Sequence, residues 1–326
     1  MEPKLKSLGS PPEELVRILR KQGYHIVGRH SAVKRCNWFY QTLINGRPCY
    51  KQKFYGIKTH QCIQMTPALY YCTQHCLFCW RIQSGDLGLK WHETSMPYAD
   101  EPKDIVDGCI REQLRILSGY KGNPKTDMRK FQEALTPRHA AISLAGEPTL
   151  YPRLGELISE FHSRGFTTFL VTNGTMHDVL AGLEELPTQL YVSLCAPNRR
   201  VYLRLNRPLL RDGWERLMET MRLLPSLECR KVVRITLVKG YNMDEAQIEE
   251  YARIISEAEP DFVEPKAYMW IGLSRKRLGR EAMPTHSEVR AFAEKLAEKL
   301  GYNILDESPE SRVVLISKHE KKKLLT

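Results

Sequence analysis

Six of the nine cysteines in this 326-residue chain lie between positions 36 and 79, and three of them form one short stretch, Cys72-x₃-Cys76-x₂-Cys79 (CTQHCLFC). Thiolates suit soft metals, and three on one tight loop can wrap the corner of a cubane, holding three irons of a [4Fe–4S] cluster. The fourth iron then lacks a protein sulfur, and an open coordination position is how a metal centre takes hold of a reactant. A zinc ribbon needs two paired ligand groups, and His75 supplies no second pair. Disulfide scaffolds serve small secreted domains short of a core, which a chain of this length does not need. Clustered thiols therefore point to a metal or iron–sulfur site in a reducing compartment, and the expected location is the cytoplasm. Cys36, Cys49 and Cys62 stand upstream, each separated from the next by 12 residues. Singly each reads as a core cysteine; together, directly ahead of the triplet, they are harder to dismiss.

The charge is uneven. The net charge is +11, and residues 1–60 hold 12 Lys or Arg against 3 acidic residues, with Lys318, Lys321, Lys322 and Lys323 near the C-terminus. A solvated basic surface and a polyanion partner such as RNA both fit. Trp38, Phe39, Tyr40, Tyr50, Phe54 and Tyr55 alternate with Lys34, Arg35, Arg47, Lys51, Lys53 and Lys58, a mixture that suits base stacking with phosphate contact and equally a small packed subdomain. No RNA-recognition, KH or C₂H₂ finger signature is present, so composition alone does not choose.

These residues must be held by a scaffold. With 42% hydrophobic and 27% charged residues the composition is that of a globular protein. No apolar run is long enough to span a membrane, and the first residues lack a secretory signal pattern. A helix is expected over 13–21, then short aromatic-rich segments over 24–62 with a hairpin turn at Asn45-Gly46, and a first strand over 61–71. A helix over 101–119 and a loop over 120–137 precede strands at 140–145, 167–172, 189–194, 231–238 and 262–268. These alternate with helices at 152–164, 175–185, 212–224, 243–258 and 285–299, and a last pair, 302–306 and 312–317, reads as a hairpin or added edge. Six strand–helix units imply an α/β fold with a largely parallel sheet, an incomplete (β/α)6 barrel, with a doubly wound sheet as the alternative. Either way the site belongs at the C-terminal ends of the strands. The expected division is 1–62 as a basic, cysteine-bearing extension, 63–300 as the barrel, and 301–326 as C-terminal strands and tail.

CTQHCLFC matches the CxxxCxxC motif of radical S-adenosylmethionine (SAM) enzymes, including aromatic Phe78 before its last cysteine. The resemblance implies a [4Fe–4S] cluster on Cys72, Cys76 and Cys79 whose open iron chelates SAM. Ala145-Gly146-Glu147-Pro148 resembles the GGEP motif that binds the SAM amino group, with Ala145 replacing the first glycine. Asn173 and Ser193, at the ends of the third and fourth strands, resemble polar SAM contacts. Lys239 and Asn242, in LVKGYN, fall in a segment resembling the one that lines the adenine.

The cysteine arrangement C-x₁₂-C-x₁₂-C followed by CxxxCxxC closely resembles the tRNA 4-demethylwyosine synthases, over nearly the whole chain from about Val33. That resemblance implies a second [4Fe–4S] cluster on Cys36, Cys49 and Cys62. It also implies a Schiff base between pyruvate and Lys51, with Lys53 as runner-up; an amine flanked by cations and a cluster can be held neutral enough to attack a ketone. The implied substrate is tRNA-Phe carrying N1-methylguanosine at position 37, and the activity a carbon–carbon lyase or synthase reaction forming the tricyclic base. Eukaryotic relatives carry an added flavodoxin-like domain for which there is no room here, so an external donor such as a flavodoxin or ferredoxin is expected to supply electrons to a monomer. The rivals are a radical-SAM enzyme on another substrate, its second cluster conducting electrons, and a non-catalytic cluster-bearing RNA-binding module.

Overall fold

The computed structural model describes residues 11–322, 324 and 325. Lys4 and Lys6 of the basic segment and Lys323 of the tail lie outside the described residues. The chain forms two compact units that interleave in sequence. The first holds residues 11–48, Lys58–Thr73 and Ile82–Leu170; the second holds Cys49–Ile57, Gln74–Arg81 and the residues from Val171 onward.

In the first unit, α1 (Glu13–Lys21) leads into a hairpin of β1 (Tyr24–Val27) and β2 (Ser31–Lys34). Next come α2 (Asn37–Ile44) and α3 (Tyr50–Tyr55), the latter part of the second unit. β2 pairs antiparallel with β3 (Cys62–Thr66), and β3, β4 (His139–Ile142) and β5 (Thr167–Thr172) run parallel in that order. Parallel neighbours need crossovers, supplied by α4 (Pro102–Ser118), α5 (Met128–Ala134) and α6 (Leu154–Ser163).

β3 stops at Thr66, earlier than the 61–71 strand expected, because Pro67 cannot donate to the ladder. Asn45-Gly46 is no hairpin turn: Asn45 ends α2, its amide donating to the Gln41 carbonyl. The supposed loop over 120–137 contains α5, whose N-cap Asp127 accepts from the Lys130 amide. Both helices exist because each buries one face. Phe39 and Leu43 from α2 and Phe131 and Ala134 from α5 form one cluster with Leu117 and Tyr120.

The second unit runs α7 (His177–Ala181), β6 (Gln189–Ser193), α8 (Arg199–Leu205), α9 (Gly213–Leu223), β7 (Arg230–Leu237), α10 (Glu245–Ala258), β8 (Phe262–Ala267), α11 (His286–Leu300), β9 (Asn303–Ser308) and β10 (Val313–Ser317). β6, β7 and β8 are parallel, and β10 and β9 add an antiparallel hairpin beyond β8. Capping boxes start α10 (Asp244 with Gln247) and α11 (Thr285 with Glu288), the signature of deliberate helix starts. No helix among the described residues is long and apolar enough to cross a membrane.

Candidate active site

The cysteine loop follows β3. In the first unit the Cys72 amide donates to the Glu93 carbonyl at 2.8 Å, and the Glu147 amide to the Tyr71 carbonyl at 2.8 Å. Gly146, at φ +71°, lies so close to this stretch that an added Cβ would stand 1.8 Å from the Ala68 oxygen and 2.6 Å from that of Tyr71. Its glycine is therefore demanded by backbone approach to the segment leading into the triplet. The Glu147 carboxylate accepts from the Thr149 amide and hydroxyl at 3.1 and 2.6 Å, and the Ala145 carbonyl accepts from the Thr66 hydroxyl at 2.6 Å.

In the second unit Cys76 and Cys79 sit on a segment stitched to the end of α8. The His75 amide donates to the Arg207 carbonyl at 3.0 Å and that of Leu77 to the Leu205 carbonyl at 2.9 Å. The Gln74 side chain donates to the Tyr202 hydroxyl at 2.8 Å and accepts from the Asn206 amide at 3.2 Å, while Asn206 also faces the Cys76 sulfur at 3.9 Å. The Arg277 guanidinium holds the Cys79 and Arg81 carbonyls at 3.2 and 3.0 Å. Three cysteines within eight residues, none in a disulfide, are a donor set suited to iron rather than to oxygen-loving ions. Among the described residues no His, Cys, Asp or Glu group is drawn together tightly enough for a single metal ion. The fit to a cluster rests on the thiols, whose spacing around a cubane is wider.

The remaining residues of the expected SAM set differ in what is left to offer. Phe78 is partly exposed on the loop and Ser193 ends β6 half-buried. The Asn173 side-chain oxygen accepts from the Thr175 amide and hydroxyl, closing a turn ahead of α7. Asn242 is fully buried with its side chain spent on the Val238 amide and the Cys195 and Thr236 carbonyls. The Lys239 ammonium is paired with Glu288 at 2.7 Å. The side chains of Lys239 and Asn242 are thus engaged within the protein, the first by α11 and the second around the loop after β7.

A second constellation lies on the strand face of the second unit. Ser193, Arg234 and Glu264 are register partners in turn across β6, β7 and β8. Glu264 is 0% exposed, and its carboxylate takes Arg234 at 2.9 and 3.0 Å, the Tyr50 hydroxyl at 3.2 Å and the Tyr55 hydroxyl at 2.5 Å. Burial alone would push this carboxyl upward; the guanidinium and the Tyr55 hydroxyl reverse that and hold it ionised. Burial keeps Tyr50 and Tyr55 protonated, so both serve as donors.

Both tyrosines stand on α3, and the carboxylate thereby fastens each end of that short helix. Between them Lys51 places its ammonium 4.6 Å from the centre of the Tyr191 ring, which also carries Arg234 at 4.4 Å. Lys266, two residues beyond Glu264 on β8, lies 5.1 Å from the Tyr50 ring, and burial pushes its ammonium down to about 8. Lys53 turns the other way, to Asp306 at 2.6 Å and the Glu307 carbonyl at 2.7 Å. Two residues are 200° apart around a helix, so Lys51 and Lys53 cannot share a face.

Sequence reading missed Arg234, Glu264, Tyr191 and Lys266. The available signal was charge in the middle of strands that otherwise read as buried. Cys36 and Cys62 belong to the first unit and Cys49 to the second, where it caps the start of α3. Burial pushes the thiols of Cys109 and Cys195 up and that of Cys229 to about 11, which agrees with structural roles. In the basic tail Lys318 pairs with Glu259 at 3.8 Å and Lys322 with Asp306.

Comparisons with known proteins place this geometry. The radical SAM superfamily profile matches residues 67–252, and the profile for wyosine base formation matches residues 257–318. The S-adenosyl-L-methionine-dependent tRNA 4-demethylwyosine synthase of Pyrococcus abyssi is 53% identical over 313 residues, covering 95% of this chain and 90% of that protein. That of Methanocaldococcus jannaschii is 43% identical, covering 95% and 98%. The solved structure of TYW1 with a lysine-pyruvate adduct bound matches at a TM-score of 0.86 with 40% identity, covering 96% of this chain and 99% of that one. The fold is the α/β radical-SAM fold, with β3–β5 parallel to one another and β6–β8 parallel to one another. This chain belongs to the radical S-adenosylmethionine superfamily and, within it, to the tRNA 4-demethylwyosine synthases, enzymes of wyosine base formation.

Proposed function

We propose that this enzyme condenses pyruvate-derived carbons with N1-methylguanosine-37 of tRNA-Phe to form 4-demethylwyosine, with Lys51 as the amine that captures pyruvate. The observation that carries the reading is the placement of Lys51. Its helix is fastened at both ends to Glu264, and its ammonium faces Tyr191 on the strand face while Lys53 is engaged by Asp306. A relative 40% identical is described with a lysine-pyruvate adduct bound in its solved structure, which supports a pyruvate-capturing lysine here.

In this reading Cys72, Cys76 and Cys79 hold the SAM-binding [4Fe–4S] cluster, and Cys36, Cys49 and Cys62 hold a second. Phe78, Ala145, Gly146, Glu147, Asn173 and Ser193 form the SAM side. Bound there, these groups supply one-electron reduction, hydrogen abstraction from the N1-methyl group and a Lewis-acidic iron. Lys51 does the polar chemistry. Its neutral amine attacks the C2 carbonyl of pyruvate, the C–N bond forms, and the carbonyl oxygen leaves as water, giving an imine. Arg234 stays charged and paired with Glu264, so the cation beside the amine is fixed and does not compete for the keto group. The chain supplies orientation and shielding, while the cofactors carry the harder steps. An external donor such as a flavodoxin or ferredoxin provides electrons, and the enzyme works as a cytoplasmic monomer.

The test is anaerobic incubation of the reconstituted protein with SAM, reductant, tRNA bearing N1-methylguanosine and isotopically labelled pyruvate, with nucleosides read by mass spectrometry. A tricyclic nucleoside carrying label is the expected result. Deoxyadenosine without that nucleoside would overturn the substrate assignment and keep only the radical-SAM core.

A further inference from the structure

The first unit carries a hollow of about 630 Å³ away from the cysteine loop, lined among others by His25, Lys34, Arg35, Tyr40, Arg115 and Tyr120. No carboxylate is among its lining residues. Two of its cations are braced on aromatic rings. The Lys34 ammonium lies 4.3 Å from the centre of the Tyr24 ring, and the Arg35 guanidinium 5.4 Å from that of Tyr40. Tyr40 and Tyr120 stand 6.3 Å apart, tilted against one another. Glu112, outside the lining, is engaged by His25 at 2.8 Å and reaches Arg115 at 3.8 Å, so it offsets part of one charge.

Arg115 stands in the last turn of α4, where the helix dipole favours a cation for its own sake. Lys34 and Arg35, at the end of β2, answer no such demand. Where basic residues serve only solubility, carboxylates are interspersed among them. Here they converge on one concavity with aromatic walls.

We propose that this hollow is a contact site for the sugar–phosphate backbone of the RNA substrate. The inference rests on the reading that the substrate is a tRNA. Guanidinium and ammonium groups match phosphate oxygens, and a half-exposed tyrosine beside them can take a sugar or base face. An enzyme that acts on one base of a large folded RNA gains its affinity from backbone contacts distant from that base, which fix register without reading sequence. Such contacts are counted by the dependence of affinity on salt, each phosphate neutralised adding roughly 0.7–0.9 to the slope.

The experiment is equilibrium binding of the full-length, cluster-reconstituted protein to N1-methylguanosine-containing tRNA across a salt series. The variants are Arg115→Gln combined with Arg35→Gln, and the conservative pair Arg115→Lys with Arg35→Lys. The charge-removing pair is expected to weaken binding about tenfold or more and to lower the salt slope by about 1–2. The lysine pair keeps the wild-type slope, and trapping of pyruvate by borohydride is unchanged in both. Should the first pair fail to fold, Arg115→Gln alone is expected to lower the slope by about 1. Unchanged affinity and slope in the charge-removing pair, or in the single variant where the pair does not fold, would overturn the proposal while leaving the tRNA reading intact. If the wild type itself shows no salt-dependent tRNA binding, the tRNA reading falls and takes this site with it. Displacement of tRNA by polyglutamate as readily as by unmodified RNA would overturn it in favour of an acidic protein partner.

Discussion

Arg234 and Glu264 meet twice, as register partners on β7 and β8 and as side chains joined at 2.9 and 3.0 Å. The pair is buried, and breaking a buried pair by neutralising one member typically costs about 3–5 kcal/mol, because the other charge is left without compensation. Glu264→Gln is therefore expected to lower the melting temperature markedly and to release α3, reducing borohydride-trapped pyruvate on Lys51. The double variant Arg234→Met with Glu264→Leu is expected to recover much of the stability and none of the trapping. Recovery of both would show that the pair serves packing alone.

The two lysines of α3 separate cleanly. Lys51→Ala is expected to abolish trapping of labelled pyruvate. Lys53→Ala retains it, losing an ion pair with Asp306 that is half exposed and worth under about 1 kcal/mol. Mass spectrometry of the reduced adduct decides the matter: label on a peptide carrying Lys53 would reverse the assignment.

Gly146→Ala tests the close approach behind the cysteine loop. A Cβ 1.8 Å from the Ala68 oxygen cannot be accommodated without moving backbone, and φ +71° adds strain for any L-residue. SAM cleavage is expected to fall at least tenfold, with a loss of stability of about 2 kcal/mol or more. Wild-type cleavage in that variant would mean the 145–148 turn is looser than described.

The cysteine sets make distinguishable demands. Cys76→Ala is expected to end SAM cleavage altogether. Cys49→Ala keeps some cleavage, halves the iron content after reconstitution and yields no tricyclic nucleoside. Full product from Cys49→Ala would remove the second cluster from the reaction.

His30 sets an acid limit on the first unit. It is 0% exposed, its Nδ1 lies 2.6 Å from the Pro67 carbonyl, and its Nε2 accepts from the Asp100 amide at 2.8 Å. Both contacts require the neutral ring with the proton on Nδ1. Burial lowers its pKa below 6.5, with Arg29 adding to the effect and Pro67 and Asp100 opposing it. The stabilisation is complete above about 6.5, where the unfolded imidazole is neutral too, and is lost as pH falls through the lower folded value. The melting temperature should decline from pH 7 to 5, and His30→Gln, less stable at pH 7.5, should show a shallower decline. Parallel curves would place the acid sensitivity elsewhere.

The strand–helix alternation beyond residue 138 was legible because its apolar periods are long and its caps conventional. The first 140 residues were less so. α2 and α5 are short, and each is decided by the cluster around Leu117 and Tyr120 rather than by propensity. α8 went unread for the same reason, its start set by the Asn198 side chain accepting from the Val201 amide. The cysteine triplet stands out because its members are neighbours in sequence. The surroundings of Lys51 do not: Tyr191, Arg234 and Glu264 come from three separate strands, and only register places them together. Lys239 and Asn242 lie in the matching segment, and their side chains also have partners within the protein, Glu288 of α11 for the one and the Val238 amide for the other.

Tyr50 finds its carboxylate 214 residues further along the chain. During synthesis at about 5–20 residues per second, α3 leaves the ribosome on the order of ten seconds or more before β8 exists to receive it. A helix of six residues has no stability of its own in water. The nascent chain thus carries Lys51 in an unformed segment until the last parallel strand is in place, and its amine acquires its setting only when the protein is nearly finished.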